Sequence, residues 1–107
     1  MAQYHASFIE SINSGKFSKE FHTFEWPKLQ QAAEVHGYRG ASKKKHNGIV
    51  PIRPSDKGLL KTLRRLAPHN TGQPIKVVAH VPSGNRLVGY RQTDGSVIIY
   101  GLANYSD

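Results

Sequence analysis

The hydrophobic pattern changes its period along this chain. Leu59, Leu60, Leu63 and Leu66 recur at i, i+1, i+4 and i+7, which puts them on one side of a helix. That helix is predicted from an N-cap at Ser55 to about Ala67, where Pro68 stops it. Lys57, Lys61, Arg64 and Arg65 fall at i, i+4, i+7 and i+8 and make a basic stripe on another side. From Ile75 onward the pattern alternates. Residues 75–81, 86–91 and 96–102 read as three strands, turned by Pro82-Ser83-Gly84-Asn85 and by Thr93-Asp94-Gly95. Asp94-Gly95 between β-rich runs is a strong hairpin signal.

The N-terminal part is less regular. Residues 4–13 fit either a helix, with Phe8, Ile9 and Ile12 on one side, or a short strand alternating Tyr4, Ala6 and Phe8. Ser14-Gly15 ends the element in either case. Phe17, Phe21, Phe24 and Trp26 form an aromatic-dense stretch that reads as core-facing. Pro27 and Gly37 bracket a helix over 27–36, with Leu29, Ala32, Ala33 and Val35 partly inward. Residues 37–48 lack apolar periodicity and read as a glycine-spaced loop, followed by a short extended piece at 49–52. The expected fold is α+β: N-terminal helices packed on a C-terminal three-stranded antiparallel β-meander. It is one domain over 1–107, mainly helical to residue 67 and a meander over 75–105.

Charge sharpens this picture. Residues 39–65 carry nine Lys and Arg against Asp56 alone, so this stretch holds the whole net charge of +8. Arg39, Lys43, Lys44 and Lys45 ride the loop, Arg53 follows the extended piece, and Lys57, Lys61, Arg64 and Arg65 make the helical stripe. A basic loop beside a basic helix face is an electrostatic footprint for a polyanion, of which nucleic acid is the commonest, RNA before DNA here. The absence of cysteine excludes disulfides, thiolate metal sites and a thiol nucleophile. No apolar run approaches the roughly 18 residues of a membrane span, and the first residues lack a signal peptide's pattern. A cytoplasmic location is expected, or delivery to a target-cell cytoplasm if the chain is a toxin domain.

A helix-turn-helix is tested and fails. Ala33 and Gly37 have the expected spacing, but Lys43 and His46 stand where the second helix needs core residues. Six histidines occur without a His-Glu-x-x-His or His-x-His pairing, so neither metal nor cofactor is expected. His46 lies among cations that favour the neutral ring, the form able to act as a base, and His80 lies on the first meander strand.

The last third, IKVVAHVPSGNRLVGYRQTDGSVIIYGLANYSD, resembles the C-terminal meander of RelE/ParE-type toxins, and the helix ending in AAEVHG is similar to the arrangement in colicin D. A strand with a basic residue leads into a Ser-Gly turn, Arg-Leu-Val opens the central strand, and a β-branched strand ends in a polar-aromatic tail. The resemblance implies metal-independent cleavage of RNA by attack of a 2′-hydroxyl on the adjacent phosphate. It makes Arg86 and Arg91 candidates to hold the phosphate and Tyr105, His46 or His80 candidate acids and bases. Five residues apart on a regular strand, Arg86 and Arg91 point to opposite faces. It also implies an acidic antitoxin or immunity protein as partner. Two other readings stand beside it: a non-catalytic DNA- or RNA-binding accessory protein of a phage or plasmid, and an inhibitor that binds an acidic protein surface.

Overall fold

A computed structural model of the chain describes residues 2–34 and 47–107. The elements run β1 (Ala2–Tyr4), α1 (Ala6–Asn13), a π-helical turn (Phe21–Glu25), α2 (Trp26–Ala32), β2 (Gly48–Pro51), α3 (Lys57–Leu66), β3 (Gln73–Val78), β4 (Arg86–Arg91) and β5 (Val97–Ala103). The α+β class is as expected. The sheet is larger than the expected meander: five strands in the order β1-β5-β4-β3-β2. The meander forms its centre. β2 adds antiparallel to β3 and β1 adds parallel to β5, which makes the sheet mixed.

Both added strands are short, and their partners are remote in sequence. β1 pairs Ala2 with Val97 and Tyr4 with Ile99. Of the two readings of residues 4–13 the helix holds, from Ala6 to Asn13; the strand β1 lies before it and ends at Tyr4, so Ala6 and Phe8 are helical rather than alternating along a strand. The His5 ring nitrogen accepts from the Ser7 amide at 3.2 Å and caps α1. Gly15, at φ +83, ends the element in the left-handed region. β2 tolerates Pro51 because it borders the sheet and proline cannot donate to a ladder.

Helices cover both faces of the sheet. On one face Phe8, Ile12, Phe21 and Leu29 pack against Ile49, Ile75, Val77, Leu87, Val97 and Ile99. Trp26 joins this core edge-on to Tyr4 at 5.4 Å and to Phe8 at 5.6 Å, and Phe17 stacks on Phe21 at 4.5 Å. The π turn fits its sequence. Pro27 has no N–H to bond the carbonyl four residues back, and the Trp26 amide reaches Phe21 O instead. Of the four clustered aromatics, Phe24 departs from the core and is 65% exposed.

The opposite face is smaller. Leu59 and Leu63 of α3 pack with Ile52, Ala67, Val88, Tyr90 and Ala103. Leu66, expected in the buried stripe, is 43% exposed and lies over Gly101. The helix also begins one residue later than expected. Its N-cap is Asp56 rather than Ser55, and the Asp56 carboxylate turns away from the helix to accept from the Arg53 amide at 3.0 Å. A bulge in β5 leaves Tyr100 without a partner on β4. This puts Tyr100 and Ala103 on the α3 face while Ile99 and Leu102 face the aromatic core. The turn into β5 closes with Gln92 N donating to Ser96 O at 2.7 Å and Gly95 at φ +88, as Asp94-Gly95 predicts.

Candidate functional site

Lys76 sits in the middle of β3 between Ile75 and Val77, whose side chains enter the aromatic core. Alternation therefore turns Lys76 to the α3 face, where it is 4% exposed. Its ammonium donates to Asp56 Oδ2 at 2.8 Å and to the Tyr105 hydroxyl at 3.1 Å. Arg86, at the start of β4, lies over the same Tyr105 ring at 5.3 Å, and Lys76 lies 5.1 Å from its centre. Two cations, a buried carboxylate and an accessible phenol thus meet at one end of α3. Tyr105 is 42% exposed.

The tail that carries Tyr105 is held by the helix. Asp107 Oδ2 accepts from Thr62 Oγ1 and from the Asn104 amide, each at 2.9 Å. Gly58 lets the tail lie against α3, since a Cβ there would stand 2.8 Å from the Asn104 carbonyl oxygen and closer still to that of Tyr105.

The electrostatics follow from this packing. Burial alone would push the Tyr105 hydroxyl up. The hydrogen bond from Lys76, with the charges of Lys76 and of the Arg86 guanidinium over the ring, outweighs it and holds the hydroxyl below the ordinary tyrosine value. Burial likewise pushes Asp56 up. The hydrogen bonds from Lys76 and the Arg53 amide, with the charges of both residues, bring it below the usual carboxylate range. Arg86 Nη1 donates to Asn85 O at 2.9 Å, while its buried Nε has no hydrogen-bond partner among the described residues.

Of the candidate catalytic residues, Arg86 and Tyr105 come together. Arg91 stands at the far end of β4, opposite Gln73 and Val97. His80 is exposed just beyond β3, where its carbonyl accepts from Lys28 Nζ at 3.5 Å. His46 lies outside the described residues, as do Arg39, Lys43, Lys44 and Lys45. Arg53, Lys57, Lys61, Arg64 and Arg65 are all exposed, and Lys57, Lys61 and Arg64 line a groove with Ile52, Pro54, Leu60 and Pro74. Among the described residues no group of three or more His, Asp or Glu could hold a metal ion. No described helix is long and apolar enough to cross a membrane.

Lys76 and Asp56 are the residues that sequence reasoning misses. Lys76 carries one signal, a lone charge in the alternating run Ile75–Val81. Asp56 is the one acid within the basic stretch 39–65. Comparison with protein-family models, with curated proteins and with solved structures finds no match in any of the three.

Proposed function

We propose that this chain is a small basic ribonuclease that cleaves RNA through a 2′-hydroxyl, in the manner of the toxins its last third resembles. One observation carries the reading: Tyr105 is accessible, its hydroxyl accepts from Lys76 at 3.1 Å, and Arg86 lies over its ring at 5.3 Å. A phenol so placed gives up its proton more readily than a free tyrosine, which suits it to act as a general base. In this mechanism the Tyr105 phenolate takes the proton of the 2′-hydroxyl as that oxygen attacks the adjacent phosphorus. The bond from phosphorus to the 5′-oxygen breaks, and the leaving oxygen takes a proton from water. Arg86 faces the charge that grows on the phosphoryl oxygens. Lys76 touches Tyr105 rather than the phosphate and acts as a positioning residue, itself fixed by Asp56.

The stripe of Lys57, Lys61, Arg64 and Arg65 supports binding along the RNA backbone. By itself it supports a non-catalytic nucleic-acid-binding protein equally well, and only the Tyr105 cluster favours cleavage. The same stripe is the natural surface for an acidic inhibitory protein. Expression in a bacterial host, with purified protein incubated with tRNA and with ribosome-bound mRNA, tests the reading. Growth arrest and RNA fragments are expected. Harmless expression with both RNAs left whole rejects cleavage, and a gel shift without fragments supports the binding protein.

A further inference from the structure

The end of the sheet where β4 begins and β5 ends carries a second feature, which the Tyr105 cluster does not use. A cleft of about 640 Å³ opens between the π turn and the loop that enters β4, with Phe17, Phe24 and Val81 among its apolar walls. Phe24 keeps its ring mostly in solvent, so core packing does not account for it. An exposed aromatic ring at a cleft mouth is a stacking platform for a nucleobase.

The polar part of the cleft is built around Glu25. Its Oε1 accepts from Ser83 Oγ and its Oε2 from Asn85 Nδ2 at 3.0 Å. The carboxylate is fixed in orientation, and each oxygen retains a lone pair for a further donor. Two parallel acceptors match the Watson–Crick edge of guanine, which presents an N1–H beside an N2 amino group. Adenine, cytosine and uracil each present an acceptor within that edge and would set it against the carboxylate. Lys16 and Lys28 also line the cleft and can take flanking phosphates.

The cleft adjoins the tyrosine cluster. Asn104, the residue before Tyr105, donates to Ser83 O and to Asn85 Oδ1, each at 3.0 Å. Asn85 in turn precedes Arg86 and accepts from it through its carbonyl. We propose that this cleft is a guanine subsite, seating the base of the nucleotide whose phosphate lies at Arg86 and Tyr105. The proposal rests on the ribonuclease reading for its role but not for its binding chemistry.

Calorimetric titration of the whole chain with the 3′-monophosphates of guanosine, adenosine, cytidine and uridine tests it. Guanosine monophosphate should bind on the order of 10- to 100-fold more tightly than the other three. Glu25→Gln should erase that preference. Phe24→Ala, at an exposed position and so safe for folding, should weaken all four by roughly fivefold or more. Equal affinities, no binding of any of the four, or a guanine preference that survives Glu25→Gln overturns the subsite. An RNA digest separates the two ideas. RNA cut without base preference removes the subsite and leaves the ribonuclease. RNA left whole by a protein that still prefers guanosine monophosphate removes the ribonuclease and leaves the subsite.

Discussion

Tyr4 and Tyr105 lie on opposite faces of the same sheet, and their hydroxyls are shifted in opposite directions. Tyr4 belongs to the aromatic face, where burial and the nearby Glu34 charge push it up to about 12. Tyr105 belongs to the α3 face, where Lys76 and Arg86 outweigh its burial and bring it down. One face is a continuous apolar core closed by Phe8, Phe21, Trp26 and Leu29. The other is a small core beside a buried ion pair and an exposed basic stripe. A buried ion pair is weak as a source of stability, because desolvation cancels most of its attraction. Its cation also touches the Tyr105 hydroxyl, at 3.1 Å. The fold rests mainly on one face, and the chemistry is proposed for the other.

The largest effect should come from breaking the pair. Lys76→Ala leaves the Asp56 carboxylate buried without its cation and should cost about 3–5 kcal/mol in urea unfolding. Replacing both partners, Asp56→Leu with Lys76→Met, should recover most of that stability, yet RNA cleavage should stay lost. A double variant that is fully active would mean that the pair serves folding alone.

On the aromatic face Leu29→Ala should cost about 2–5 kcal/mol, since Leu29 is wholly buried. At a temperature where the variant remains folded, its cleavage rate should be unchanged. A rate loss without unfolding would show that the two faces do not divide the work in this way.

This division was only partly legible in the sequence. The periods of α3 and of β3 to β5 follow from nearest-neighbour chemistry, namely the leucine spacing and the Asp94-Gly95 turn, and the elements appear in the expected order, although β3 runs over Gln73–Val78 rather than 75–81. β1 and β2 are too short to show a period, and their partners are set by register with remote strands. The ion pair is illegible for the same reason. Lys76 and Asp56 are twenty residues apart and meet because β3 runs beneath the start of α3. Arg86 and Tyr105 were within reach of sequence reasoning as residue types, while Arg91 lies at the far end of β4 and His80 lies beyond the end of β3.

Neutralising the stripe is the next smaller test. Lys61→Gln and Arg64→Gln should each lower the slope of log affinity for single-stranded RNA against log salt by about 0.7 per lost phosphate contact. Fold stability should move by no more than about 0.5 kcal/mol, because both side chains are exposed. An unchanged salt slope would remove this surface from RNA binding.

The smallest effect is in pH titration. The Tyr105 phenolate should appear below the usual tyrosine value of about 10 and be absent in Tyr105→Phe, whereas Tyr4 should ionise near 12. The signs for stability differ accordingly. Tyr4, raised in the fold, stabilises below the unfolded value, and that contribution fades as pH rises through its folded value. Asp56, lowered in the fold, stabilises above the unfolded carboxylate value of about 3.9 and loses this as pH falls through its folded value. Loss of stability between neutral pH and about 5 would have to come from other groups.

The central claim is that Tyr105 is the base of an RNA-cleaving site, and the direct measurement is cleavage of RNA in the presence of EDTA by the native chain and by Tyr105→Phe. The native chain should release fragments ending in a 2′,3′-cyclic phosphate. Tyr105→Phe, with an unchanged circular dichroism spectrum, should be slower by about 10²- to 10⁴-fold. RNA left whole by the native chain, or cut equally fast by Tyr105→Phe, would contradict the claim.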